Sequence, residues 1–346
     1  MRFSNLRFTY LFNIFETKPV NYFMKISVAF IVYNGGHYLR TQLDSILAQT
    51  EPVDEIIVCD DASSDNTKAI LEEYKNKHPN LFFIHYNTKN IGPTKNIEKA
   101  IQACTGELIL LADQDDYWEA HKVETIIKCF EENPKMNGVF TNGTLINSKG
   151  ELNNKYSLWD VMSFPYKTIK NNKELNKNLK LYINTVENAV TGATLAIRNN
   201  LAFLQKPFPT IMNLIHDRWI AINLAETNSL GILEDKLIRY RIHSAQAIGG
   251  MTENIVKYID LNTNLLEGIP NINNSIASFK DLRYILNKIE TNLEIQNEIS
   301  KIEIKDFDNA KYIAILKNKH TIYLEYGFAK WPILSGLRKF KKLFIA

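Results

Sequence analysis

From Met24 onward, short unbroken apolar runs alternate with stretches in which apolar residues return every three or four positions. Ile26–Val32 and residues 55–59, 81–86 and 107–112 are runs of the first kind, and their length and Val/Ile/Leu content predict buried strands. Between them, Leu39, Leu43, Ile46 and Leu47 share one helical face. Ile70, Leu71 and Tyr74 share a second, and Ile97, Ala100, Ile101 and Cys104 a third. Turn chemistry supports the boundaries. Asn34-Gly35-Gly36 follows the first strand, Ser64 or Asp65 can cap the second helix, Pro93 opens the third and Gly106 ends it. Such alternation predicts an α/β fold, a mostly parallel, Rossmann-like sheet with helices on both faces. Ligands of such sheets bind beyond the carboxyl ends of the strands.

The pattern loosens between Phe140 and Ile238 into shorter strands and an Asn/Lys-rich insertion around residues 147–180. Past Met251 the chain reads as helical, with a boundary near Gly249-Gly250. Residues 1–23 mix aromatics with charges and lack a clean apolar region or a small-residue cleavage site, so they read as an extension ahead of the strand at Met24. The expected organisation is therefore an extension at 1–23, a body at 24–250 with halves 24–140 and 141–250, and a helical region at 251–346.

Composition narrows this little. An apolar fraction of 45% and a charged fraction of 23% are those of a globular chain, and a net charge of +3 gives no electrostatic case for nucleic acid. Cys59, Cys104 and Cys129 show no metal-ligand spacing and suit reduced thiols in the cytoplasm. No apolar run reaches the ~18 residues of a spanning helix.

The chemistry sits where strands end. "CDDASSD" puts Asp60 and Asp61 after the second strand, and "LADQDDYW" puts Asp113, Asp115 and Asp116 after the fourth. Like charges so close repel and invite a positive partner. No GxGxxG follows the first strand, and there is no GxxxxGK[ST] loop, so a glycine cradle for phosphate is lacking. A divalent cation, Mg2+ or Mn2+, held by Asp113 and Asp115 would bridge to a diphosphate.

Four stretches, "ISVAFIVYNGGHYLRTQLDSILAQT", "EIIVCDDASSDNT", "NIGPTKNIEKAI" and "GELILLADQDDYW", together resemble the nucleotide-sugar half of family 2 glycosyltransferases across residues 25–130. The resemblance implies a GT-A fold. It places Tyr33 at the nucleotide pocket, Asp61 on the base, Asp113 near ribose and metal, and Asp115 as the principal metal ligand. Lys95 and Asn96 match a helix start near the nucleotide. Farther on, "VTGATLAIRNN" resembles the family's strand beside the acceptor cleft, and "IHDRWIAINLA" puts Asp217 where the family carries its catalytic base. "YRIH" resembles a terminal segment that returns to the site, with Arg241 for phosphate and His243 for the cation's shell or the diphosphate. One base and one cation suffice for a single inverting displacement.

"DQDDYW", "HDRW" and "YRIH" together look most like the bacterial rhamnosyltransferases and related surface-polysaccharide enzymes. That implies dTDP-L-rhamnose as donor and a glycan or lipid-linked glycan as acceptor, with UDP-hexose and UDP-N-acetylhexosamine as competing donors. The C-terminal segment from Lys330 carries Arg338, Lys339, Lys341 and Lys342 opposite Ile333, Leu337, Phe340 and Phe344. A helix so patterned can lie on an anionic bilayer or dock on its own domain. The expected location is cytoplasmic, with peripheral contact at the inner face of the plasma membrane left open. A non-catalytic nucleotide-sugar scaffold, a receiver-type phosphoacceptor and a nucleotidyltransferase are the rival readings; the first would lack a base such as Asp217.

Overall fold

The computed structural model describes residues 24–171, 174–243, 255–267, 276, 278–302 and 307–330. Residues 1–23, the Gly249-Gly250 boundary and the basic segment beyond Lys330 lie outside them.

The first strand, β1 (Ile26–Val32), is the hub of the amino-terminal half. A helix α1 (Leu39–Leu47) leads to β2 (Glu55–Asp60), α2 (Thr67–Lys77) to β3 (Phe82–Tyr86), and α3 (Pro93–Ala103) to β4 (Leu108–Ala112). All four strands are parallel, with β1 between β2 and β4. Their continuous apolar runs are explained by burial on both faces. Val28 and Phe30 join Leu39, Leu43 and Ile70 in one apolar cluster, while Ala29 and Ile57 join Ile97 and Ile101 in the other. Register sets the site: Val32 pairs with Asp60, and Phe30 with Ala112. Tyr33, Asp61 and Asp113 therefore leave the sheet at one edge.

Two expected boundaries shift. The residue before α2 is Asn66, which makes no side-chain cap. Asp65 instead accepts from the Thr67 N–H at 3.0 Å and the Gly36 N–H at 3.0 Å, joining the loops that follow β1 and β2. Helix α3 stops at Ala103, short of Gly106.

The chain continues through β5 (Tyr117–Trp118), α4 (Lys122–Glu132), β6 (Gly138–Asn147), β7 (Leu152–Ser157), the short α5 (Leu158–Val161) and α6 (Tyr166–Asn171), and α7 (Leu175–Thr185). Then come β8 (Leu195–Arg198), α8 (His216–Glu226) and β9 (Leu230–Ile242). Strand order is β3-β2-β1-β4-β8-β6-β9-β5, with β7 beside β6. β8 is antiparallel to β4 and β6, and β9 is parallel to β6. The 13-residue β9 is longer than its pattern suggests because its register against β6 jumps from Leu233 to Lys236. Glu234 and Asp235 are the bulged residues that break the apolar pattern.

Helices α9 (Ile255–Glu267), α10 (Phe279–Ile299) and α11 (Asn309–Lys330) bear out the helical reading of the carboxyl-terminal region. Leu261, Ile285, Ile289 and Leu316 share an apolar cluster with Tyr182, Ile183 and Ile220 of α7 and α8, so these helices pack on the body. Among the described residues no helix is long and apolar enough to cross a membrane.

Candidate active site

A cleft of about 600 Å³ opens at the carboxyl edge of β1, β2 and β4, and both acidic clusters contribute to it. At the end of β1 the Gln114 amide clasps the backbone of Tyr33. Its Oε1 accepts from the Tyr33 N–H at 2.7 Å and its Nε2 donates to the Tyr33 carbonyl at 2.9 Å. Tyr33 is 48% exposed at the cleft mouth. Asp61 is buried and accepts from Asn87 Nδ2 and the Ile91 N–H through Oδ1, and from the Gly92 N–H through Oδ2. A carboxylate has about four acceptor positions, so these bonds hold the loop before α3 and leave room for one more donor. Gly92 sits at φ +83°, where glycine is favoured.

Asn96 lines the cleft, but its amide donates to the Cys59 carbonyl at 2.7 Å and accepts from Asn87. Lys95 does not reach the cleft. Its Nζ donates to Glu98 at 2.8 Å and to the Phe208 carbonyl at 2.7 Å. The carboxylate three residues along the same helix turns the ammonium away from the cleft.

The Asp113–Asp116 knot is organised from below. Asp113 is pushed up to about 7 by burial and by the charges of Asp115 and Asp217. Asp116 is raised for the same kind of reason; its Oδ1 accepts from the Arg241 N–H at 2.9 Å, while Oδ2 is buried without a partner. Beneath them lies Lys122, fully buried, with Nζ 4.0 Å from the Trp118 ring and donating to the Ala193 carbonyl at 2.8 Å. Burial brings its ammonium down to about 7, against the opposing pull of Asp116 and Asp113. Nothing in the sequence distinguished this lysine from a solvated helix residue.

Asp115 and His243 come together, Oδ2 to Nε2 at 2.9 Å. The guanidinium of Arg241 is engaged by protein: Nε donates to the Asp115 carbonyl at 2.7 Å, Nη1 to the Asn147 carbonyl at 3.1 Å, and the group stacks 4.5 Å from the Tyr38 ring. Its part here is to pin Asp115, and Tyr38 also packs against His243. Among the described residues no three His, Cys, Asp or Glu side chains converge as a ready metal-ligand set. The donor chemistry nevertheless fits a hard cation. Two of the three predicted ligands meet, the third is a neighbouring acid, and mutual repulsion and an orphaned buried oxygen mark a deficit of positive charge.

Across the cleft, Asp217 stands in the first turn of α8, 5% exposed. Its Oδ1 accepts from Asn188 Nδ2 at 2.9 Å and from the Arg218 N–H, and its Oδ2 from the Gly192 N–H at 3.2 Å. Burial outweighs these bonds and pushes the carboxyl up to about 7. His216, beside it, is brought down to about 4 by burial and so is neutral. A Cβ on Gly192 would lie 2.8 Å from His216 Nε2, so the turn approaches α8 as closely as only glycine permits. Asn188 and Gly192 escaped the sequence reading because the carboxylate they hold, Asp217, lies far along the chain.

Residues 27–191 match the family model described as "Glycosyl transferase family 2". Over that span the chain is similar to family 2 glycosyltransferases. The matched span holds Asp61, Asp113 and Asp115, whereas Asp217, Arg241 and His243 lie beyond it. Chondroitin synthase of Escherichia coli is 32% identical over 138 residues, 40% of this chain and 20% of that protein. Poly(ribitol-phosphate) beta-glucosyltransferase of Bacillus spizizenii is 41% identical over 96 residues, 27% of this chain and 15% of that protein. The matches thus span a fifth or less of these two relatives. In fold, the chain is similar to S. aureus TarS 1-349, crystallised with UDP, with a TM-score of 0.51 at 18% identity over 88% of this chain and 91% of that one. The fold is GT-A.

Proposed function

We propose that this family 2 chain is an inverting, metal-dependent glycosyltransferase. It moves a sugar from a nucleoside-diphosphate sugar to a hydroxyl of a glycan or lipid-linked glycan in bacterial surface-polysaccharide synthesis. One observation carries the reading: the acids fit for a cation, Asp113 and Asp115, and a cradled carboxylate, Asp217, line the same cleft.

The residues divide the work. Tyr33 offers a ring at the mouth for the base, and the remaining acceptor position of Asp61 suits a pyrimidine imide N–H. Asp217, ionised, takes the proton of the acceptor hydroxyl as that oxygen attacks the anomeric carbon; the bond to the diphosphate oxygen breaks and the configuration inverts. The bonds from Asn188 and Gly192 hold the carboxylate for that approach. A divalent cation, Mg2+ or Mn2+, held by Asp113, Asp115 and His243, would supply positive charge to the departing diphosphate.

Likeness in "DQDDYW", "HDRW" and "YRIH" favours dTDP-L-rhamnose as the donor. A UDP-linked sugar is the second reading, supported by the TarS structures with UDP and UDP-GlcNAc. Asp61 does not separate thymine from uracil, which differ by a methyl group. Purified protein incubated with dTDP-rhamnose, UDP-glucose and UDP-GlcNAc, with Mn2+ or with EDTA, tests the proposal. Hydrolysis of one donor that stops on chelation is expected. Equal binding of every donor without metal would refute the role of Asp113 and Asp115.

A further inference from the structure

Helix α10 carries a polar stripe where an apolar one would fill the same space. Lys288, Asn292 and Gln296 recur every four residues and so stack on one face, among the buried Ile285, Ile289, Ile295 and Ile299. Burying amides and an ammonium is unfavourable unless each finds a partner. Here the partners fall in one short segment. Lys288 pairs with Glu187, Asn292 Nδ2 donates to the Val186 carbonyl at 3.0 Å, and Gln296 Nε2 donates to the Asn184 carbonyl at 3.1 Å. That segment runs directly into Asn188 and Gly192, which hold Asp217.

Asn292 also reaches the other side of the cradle. Its Oδ1 accepts from Nη2 of Arg218, the residue after Asp217, whose guanidinium is otherwise fixed on the Ile183 carbonyl at 2.7 Å. Arg218 and Asn292 are 4% and 2% exposed, so neither bond is exchanged for water at little cost. Thr291, the neighbouring residue of α10, lines the cleft itself.

We propose that Asn292 is a positioning residue for Asp217: bonded to Val186 on one side and Arg218 on the other, it fixes the 186–192 loop against the first turn of α8. Helix α10 is thereby a wall of the acceptor site and not an appendage. The inference rests on reading Asp217 as the base.

The test uses the full chain and three variants, Asn292→Leu, Asn292→Asp and Gln296→Leu, with Asp217→Asn beside them. Nucleoside diphosphate release from dTDP-rhamnose, UDP-glucose and UDP-GlcNAc with Mn2+ is followed. Asn292→Leu is expected to lose roughly tenfold to hundredfold in kcat, as a carboxylate displaced by about 1 Å does, with donor KM unchanged. Asn292→Asp keeps the acceptor for Arg218 and should recover part of the loss, and Gln296→Leu, which frees only the Asn184 end of the segment and leaves Arg218 bonded, should lose clearly less kcat than Asn292→Leu. Wild-type kcat in Asn292→Leu, or an equal loss in Gln296→Leu, overturns the proposal. Should Asn292→Leu fail to fold, Asn292→Asp decides: a several-fold loss of kcat at unchanged donor KM supports the proposal, and wild-type kcat overturns it. If Asp217→Asn is inactive while Asn292→Leu is normal, only this inference fails; if Asp217→Asn turns over normally, the base assignment fails with it.

Discussion

Replacing Asp217 by Asn should damage catalysis and, above neutral pH, strengthen the fold. The carboxyl is held at about 7 in the native chain, chiefly by burial, against an ordinary 3.8 when unfolded. At about 1.4 kcal/mol per pH unit, that difference is about 4 kcal/mol. The sign follows from which state holds the proton. Below 3.8 both states are protonated and the group is neutral to stability. As pH rises toward about 7 the unfolded carboxyl ionises while the native one does not, so stability falls until the full penalty is reached. Asn carries no such penalty. It does turn an N–H toward the Gly192 N–H, which Oδ2 now accepts, and that mismatch costs about 1–3 kcal/mol. The variant should therefore gain about 1–3 kcal/mol at pH 8 and lose a similar amount at pH 4. Urea unfolding of both chains across this range gives the crossing directly. In the same preparations sugar transfer should fall by roughly 10²–10⁴ with donor binding retained, as removal of a general base does. A variant weaker than wild type at pH 8, or one that still transfers, would refute the reasoning.

Other perturbations separate the halves of the site. Asp115→Asn, which removes the acid paired with His243, should weaken Mn2+ binding measured by titration calorimetry by at least roughly 100-fold, beyond the loss typical of outer partners. Gln114→Ala removes both bonds to the Tyr33 backbone and should raise the donor KM several-fold, with a stability loss of about 1–3 kcal/mol in urea. Gly192→Ala places a methyl 2.8 Å from His216 Nε2, so the buried His216 ring or the turn whose N–H holds Asp217 has to move; kcat should drop roughly tenfold while donor affinity, measured separately, stays unchanged.

What could be foreseen from the chain follows from which forces are local. Strands β2 and β4 are buried along their whole length and β1 at every position but Ile31, so they announce themselves as apolar runs, and Asp61 and Asp113 stand at the ends of β2 and β4. Strand β9 hid because Glu234 and Asp235 interrupt it, and only pairing with β6 reveals the bulge. Lys122 looked like any helix lysine; its burial is decided by Trp118 and by the distant Ala193 carbonyl. Lys95 was expected at the nucleotide because it matches the family's helix start, yet Glu98 and Phe208 hold it elsewhere. Asp217 came from resemblance, and its cradle joins positions 29 and 25 residues apart, a separation no local pattern encodes.

The two sides of the cleft also sense each other's charge. Asp113 is raised by Asp217 as well as by Asp115, and it and Asp217, the proposed base, both stand near 7. Coulomb interactions are mutual, so positive charge arriving at Asp113 and Asp115 must favour ionisation of Asp217. The base would then lose its proton mainly after the donor side is loaded, which disfavours activation of water in an empty cleft. Infrared titration of the carboxylate band, taken as wild type minus Asp217→Asn, tests this. The midpoint should lie near 7 without metal and fall by about one pH unit with saturating Mn2+. A midpoint that does not move with Mn2+ would mean that donor loading and base ionisation are independent, and the charge coupling drawn from Asp113 would be wrong.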